Sequence, residues 1–240
     1  MRPLKEVSNG MSDHNVDLLV IGSGASGATI AYEATKRGLV VALLDAGDIG
    51  CSTSCRSTKL LHGGVRYLEL AFKTFDFAQL KLVREALIER SHWLEQAPFL
   101  AHRMELALPT NDVIAKSYYR LGLGLYDALS GAKSIGGSRM LSMKKMKEVL
   151  PLLKESTEGG VAYSDGQFDD ARLNLLLALT AERAGTTLRT HCKIVELEKH
   201  PDGTISGAIS EDRNGSQERW VAKAIVNATG IHADIIRQKA

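Results

Sequence analysis

The chain has 240 residues, 44% hydrophobic and 24% charged, with a formal net charge of +2. That composition suits a globular chain burying its own core as one large domain or two small ones, and its scattered positive charge argues against nucleic acid as a partner. Three cysteines, an odd count, exclude a disulfide framework and fit a reducing compartment.

Residues 1–15 are polar and lack the apolar stretch of a signal peptide; they read as a flexible segment in which Met11 offers a second candidate start. No apolar run approaches the roughly 20 residues that span a bilayer. Asp17–Ile21 (DLLVI) predicts a parallel strand buried on both faces. Gly22–Gly27 follows, then Ala28–Arg37 as a helix of small residues, with Gly38 at its left-handed stop. Leu39–Leu44 predicts a second buried strand, ended by Asp45. Strand, helix and strand within about thirty residues make a βαβ unit.

Gly47–Lys59, rich in Gly, Ser, Thr and Cys, reads as a long functional loop. Cys51 and Cys55 lie on it, but no His or further Cys completes a ligand set, so no metal is expected. Leu80, Val83, Leu87 and Leu94 keep helical spacing over Phe75–Gln96, closed by Pro98. Lys116–Leu129 predicts another helix stopped near Gly131, and Ser142 caps a third that ends before Pro151. Gly160–Ser164 reads as a strand, and Asp169 as the N-cap of a helix reaching Ala184, with Gly185 as its stop. Ile194–Glu198, Ile205–Ile209 and Glu218–Val221 predict strands, the last two joined through Asn214-Gly215. Ala224–Asn227 predicts a further buried strand leading into Ala228-Thr229-Gly230. The fold class is α/β.

Gly22-Ser23-Gly24-Ala25-Ser26-Gly27 matches G-x-G-x-x-G after a strand and at the opening of a helix, the context that gives the pattern meaning. Gly22 permits the tight turn, Gly24 lets a pyrophosphate approach the backbone, and Gly27 lets the helix pack on the sheet. Free N–H groups and the positive dipole end then face the diphosphate. Asp45, followed by Ala46, stands where it can accept hydrogen bonds from ribose hydroxyls, and its charge disfavours the 2′-phosphate of NADP. FAD and NAD share this moiety. Two features favour FAD: Thr53, Ser54, Ser57 and Lys59 supply hydroxyls and a cation suited to a cofactor held along its whole length, and Ala228-Thr229-Gly230 offers a second backbone approach to the diphosphate.

Cys51–Glu69 (CSTSCRSTKLLHGGVRYLE) resembles the signature of FAD-dependent glycerol-3-phosphate dehydrogenases. Leu82–Arg90, Ala97–Leu100, Leu125–Asp127, Tyr163–Leu173 (YSDGQFDDARL) and Val226–Gly230 (VNATG) resemble the same family, so the likeness runs from about Asp17 to Asp234. It implies a flavoprotein of the oxidase type: a Rossmann-like FAD-binding domain (about 16–75 and 160–240) carrying part of an inserted substrate domain (about 76–159). The implied reaction oxidises sn-glycerol 3-phosphate to dihydroxyacetone phosphate, with hydride passing to flavin N5 and electrons to a quinone. That acceptor implies a cytoplasmic protein in peripheral contact with the inner face of the membrane.

By the same resemblance His62, Gly63 and Gly64 lie beside the isoalloxazine with Leu60 adjoining, and Arg66 faces the substrate as an anion or oxyanion partner. Ser57 and Lys59 touch the diphosphate or ribityl chain, and the Ile194 backbone meets the adenine. Read as residues alone, His62 also suits a core histidine and Arg66 a surface cation; Asp165, Asp169 and Asp170 suit turns and caps. An oxidase passing electrons to oxygen and a non-catalytic FAD-binding fragment stand as alternatives. Ile231-His232 departs from the family's Pro-Trp at that point. Family members extend well past residue 240, so the chain reads as an N-terminal portion truncated at its C-terminus.

Overall fold

The computed structural model describes residues 12–64, 76–154 and 156–240. In chain order the elements are β1 (Ser12–Ile21), α1 (Ala25–Lys36), β2 (Val41–Leu44), β3 (Leu60–Leu61), α2 (Phe77–Gln96), β4 (Ala101–Thr110), α3 (Val113–Ser130), β5 (Arg139–Leu141), α4 (Met143–Val149) and β6 (Gly159–Phe168). There follow α5 (Asp170–Ala184), β7 (Thr187–Arg189), β8 (Lys193–Lys199), β9 (Ile205–Glu211), β10 (Gln217–Asn227) and α6 (Ala233–Arg237). Two compact units result: the described residues up to Ser57 with Asp170–Ala240, and Thr58–Asp169. The expected divisions lie near 75 and 160; in the structure β3 and all of β6 belong to one sheet of the second unit.

The first unit is built on a sheet of order β7-β2-β1-β10-β9-β8. β1 runs parallel to β2 and β10, and β2 parallel to β7, while β9 is antiparallel to both its neighbours. Side chains on successive residues point to opposite faces. Leu19, Ile21, Ala42 and Leu44 pack with Trp220 in one cluster; Val20, Val41 and Leu43 pack in another against Ala28, Ala31 and Ala34 of α1 and Ala178 and Ala181 of α5. All four β2 residues are buried, as a strand covered on both faces requires. Alanines at the helix contacts let α1 and α5 approach closely. At the end of α1, Gly38 has φ 85 and its N–H donates to Thr35, while the Leu39 N–H donates to Ala34. This is the left-handed stop read from the sequence.

Strand readings change in this unit: β2 begins only at Val41, with Leu39 and Val40 exposed before it. β1 starts at Ser12, because Ser12–Val16 pairs with Glu218–Ala222 and the His14 ring stacks on Trp220 with centroids 4.3 Å apart. The last four residues of the expected flexible segment are therefore strand. The expected pair Glu218–Val221 and Ala224–Asn227 is one strand, β10, carried through Ala222 by its pairing with β1.

The second unit centres on β6. β4 pairs antiparallel along its whole length, and β3 and β5 pair with its opposite ends. The sequence reading left β4 out, since its exposed positions and Pro109 mask the period; β4 has β6 as its only described sheet partner, and an edge tolerates proline. Asp76, Asp112 and Ser142 cap α2, α3 and α4 through Ala78, Ala115 and Lys145 N–H groups. Val83 and Leu87 of α2 close on Tyr126 of α3, and Leu141, Met146 and Ala162 form a second cluster.

Candidate cofactor site

The parallel strands β1, β2 and β10 deliver Gly22, Asp45 and Ala228 to one edge of the first unit's sheet. Gly22 leaves β1 with φ 104, a conformation open to glycine, and its N–H donates to Leu44 O at 2.7 Å. A Cβ there would stand 2.6 Å from Ala228 O. A Cβ on Gly27 would overlap the Gly22 oxygen, so α1 can seat on its own entry turn only with glycine. Gly24 is the helix N-cap and has no side chain to occupy the space in front of it; a Cβ would come within 2.9 Å of Ser54 Oγ. The Ala25 N–H donates to that hydroxyl at 2.9 Å.

Asp45 fastens the turn to β2. Its Oδ2 accepts the Ser23 N–H at 2.6 Å and the Ser23 hydroxyl at 2.8 Å, and its Oδ1 accepts the Gly47 N–H at 2.8 Å. Ser23 is fully buried, and its hydroxyl orients Asp45. On the third strand the Ala228 N–H donates to Ile21 O at 2.8 Å, and Thr229 closes on Asn227 Oδ1 through both N–H and hydroxyl. α5 supports the turn from below: Asn174 Nδ2 donates to Ser23 O at 2.9 Å, and Asp170 Oδ2 accepts the Ser57 N–H and hydroxyl at 3.0 and 2.7 Å.

These contacts frame a cleft of about 900 Å³, a size suited to a small-molecule cofactor. Of the expected cofactor residues, Gly22, Gly24, Ala25, Ser26, Asp45, Ala46, Thr53, Ser54, Ile194, Ala228, Thr229 and Gly230 line it. Ser23 and Gly27 serve it from behind, and Ser57 fastens the loop to Asp170. Cys192, Lys193, His232 and Lys239 also line it. The sequence reading missed these four because no local motif marks them. Cys192 arrives when its N–H donates to Asp45 O at 2.7 Å.

The remaining expected residues lie in the second unit. Lys59 has φ 59, and its carbonyl accepts the Phe168 N–H at 3.0 Å. Leu60 is half-buried in β3. His62 is exposed, which removes the core-histidine reading. The Gly63 N–H donates to Tyr126 Oη at 2.6 Å, and a Cβ on Gly63 would overlap Leu87. Gly64 is buried with φ 78. Arg66 lies outside the described residues.

Two of the carboxylates read as turn and cap groups have other partners. Asp165 is 1% exposed and pairs with Arg90 Nη1 at 2.9 Å. Burial pushes its carboxyl above the ordinary range, against the pull of Arg90. Asp170, also buried, serves Ser57 as well as its own helix at Ala171 N–H. Among the described residues no cluster of His, Cys, Asp or Glu could hold a metal ion, and no helix is long and apolar enough to cross a membrane.

Parallel strands ending in a glycine turn, with a carboxylate at the tip of the neighbouring strand, define an α/β domain that binds an adenine dinucleotide. The cleft that Gly22 and Gly24 line with bare backbone fits such a group. The model of the FAD dependent oxidoreductase family (DAO) matches residues 17–240, and the chain belongs to that family. Membership decides for FAD over NAD.

The chain is 40% identical to the probable mitochondrial glycerol-3-phosphate dehydrogenase of Caenorhabditis elegans, over 96% of this chain and 32% of that protein. It is 42% identical to the mitochondrial glycerol-3-phosphate dehydrogenase of Homo sapiens, over 92% and 32% respectively. The crystal structure of the Bacillus halodurans glycerol-3-phosphate dehydrogenase complexed with FAD matches with a TM-score of 0.70 and 30% identity, over 95% of this chain and 37% of that one. These relatives bear out the resemblance to that family. The chain spans about a third of the length of the curated relatives it matches.

Proposed function

We propose that the chain is the FAD-anchoring portion of an FAD-dependent glycerol-3-phosphate dehydrogenase, which oxidises sn-glycerol 3-phosphate to dihydroxyacetone phosphate and passes electrons to a quinone. The observation that carries this reading is the convergence of the Gly22–Gly27 turn, Asp45 and Ala228–Gly230 on one cleft, in a chain 40–42% identical to relatives bearing that name.

In this reading the start of α1 meets the diphosphate, with the Ser54 hydroxyl beside it, and Asp45 accepts from the ribose. The backbone near Ile194 walls the adenine. Bound FAD supplies a two-electron acceptor for the alcohol. His62 and Arg66 act at the substrate, Arg66 as the cation for an anionic group, and the exposure of His62 supports its availability. Lys59, Leu60, Gly63 and Gly64 serve the flavin. The quinone acceptor keeps the enzyme in peripheral contact with the membrane on its cytoplasmic side.

The test is the absorption spectrum of the purified protein together with dye reduction by the full-length protein. A flavin band and reduction driven by glycerol 3-phosphate are expected. Flavin without reduction would overturn the substrate, and peroxide formed in place of dye reduction would reassign the acceptor to oxygen.

A further inference from the structure

Arg90, Tyr126 and Asp165 meet inside the second unit, 3%, 1% and 1% exposed. They come from α2, α3 and β6. Arg90 Nη1 donates to Asp165 Oδ1 at 2.9 Å. The Tyr126 hydroxyl, 3.3 Å from both Asp165 oxygens, donates to that carboxylate and accepts the Gly63 N–H at 2.6 Å. A single line of hydrogen bonds therefore runs from a buried ion pair to the backbone next to exposed His62.

Stability does not explain this arrangement. A buried ion pair is often no more stabilising than well-packed apolar residues in the same volume. Arg90 Nε finds no partner among the described residues, but the paired groups of a buried polar network still fix geometry. Here it fixes one N–H of an otherwise irregular segment, and packing of Leu87 against the bare face of Gly63 holds the same residue from another side.

We infer that Tyr126, oriented by Asp165 and Arg90, is the positioning residue that sets the His62–Gly63–Gly64 segment for catalysis. The inference rests on the function proposed above, which puts this segment at the flavin and substrate. The phenol suits the task because it must donate to one partner and accept from another. Burial and the Asp165 charge push its pKa up, so it keeps its proton across the working pH range. Arg90 in turn holds Asp165 in place to receive that proton's hydrogen bond. Tyr126 touches no reacting atom and acts through the backbone.

The test is Tyr126→Phe, which keeps the ring and removes the acceptor. Amide exchange at Gly63 is expected to rise roughly 10- to 100-fold. In the full-length enzyme loaded with FAD, kcat for dye reduction should fall about tenfold while KM and flavin content hold. Leu129→Ala, a packing loss beside the same cluster, should lower stability and leave both readouts unchanged, which separates positioning from stability. Asp165→Asn provides a second variant should Tyr126→Phe fail to fold; it should raise exchange at Gly63 in the same direction. Wild-type exchange at Gly63 in the folded variant overturns the inference. An inactive wild-type enzyme would instead overturn the proposed function, and the exchange measurement would still decide whether Tyr126 holds the segment.

Discussion

Asp45 accepts both the N–H and the hydroxyl of Ser23, at 2.6 and 2.8 Å, so the acid that ends β2 and the second residue of the glycine turn move as one piece. Asp45→Asn keeps the shape but removes the charge and turns one acceptor into a donor facing N–H groups. FAD retention should drop about tenfold or more. Flavin absorbance per chain after exhaustive dialysis measures it, and the far-UV circular dichroism should be unchanged.

Gly24→Val places a branched side chain where a Cβ already comes within 2.9 Å of Ser54 Oγ. The backbone conformation at Gly24, φ −67, is open to valine, so the chain should fold. The space before the first turn of α1 would be filled, and the purified protein should carry no flavin. Wild-type occupancy would contradict this.

Arg90→Met leaves Asp165 buried without its cation, an arrangement that costs about 3–5 kcal/mol. Replacing both residues with apolar side chains of similar size should recover most of that loss. Urea unfolding of the wild type, Arg90→Met, and the double variant Arg90→Met with Asp165→Leu gives the comparison.

Trp220 is fully buried at the centre of the first core, stacks on His14 and donates from Nε1 to Ser210 Oγ at 2.8 Å. Trp220→Ala should destabilise by about 3–5 kcal/mol through the lost contacts and the cavity. Loss of flavin should follow unfolding and not precede it, because Trp220 does not line the cofactor cleft.

Asp17 sits at 2.6 Å from Lys223 Nζ and accepts the Val40 N–H at 2.8 Å. The Lys223 hydrogen bond first, and the Val40 N–H next, hold its carboxyl below its ordinary value. A depressed folded-state pKa contributes stability above the unfolded value of about 3.9, and that stability is lost as pH falls through the folded value. The stability gap between wild type and Asp17→Asn should therefore be widest near neutral pH and narrow in acid. Unfolding curves at about pH 7 and about pH 3 test the sign.

The amino-acid sequence by itself determined the features that depend on near neighbours. The Gly22–Gly27 turn, Asp45 and the Gly38 stop were legible because local spacing dictates where amides, bare backbone and a strand-end carboxylate project. Tertiary structure decided what joins distant segments. Arg90 and Asp165 are 75 residues apart, Ser57 and Asp170 113, and Asn174 and Ser23 151. Each is a residue type equally at home on a surface or in a cap, so nothing local marks its partner. β1 likewise extends to Ser12 only because β10 lies alongside it. Periodicity and turn chemistry are written within a few residues of chain, whereas a buried polar pair forms where packed elements bring two side chains out of water together.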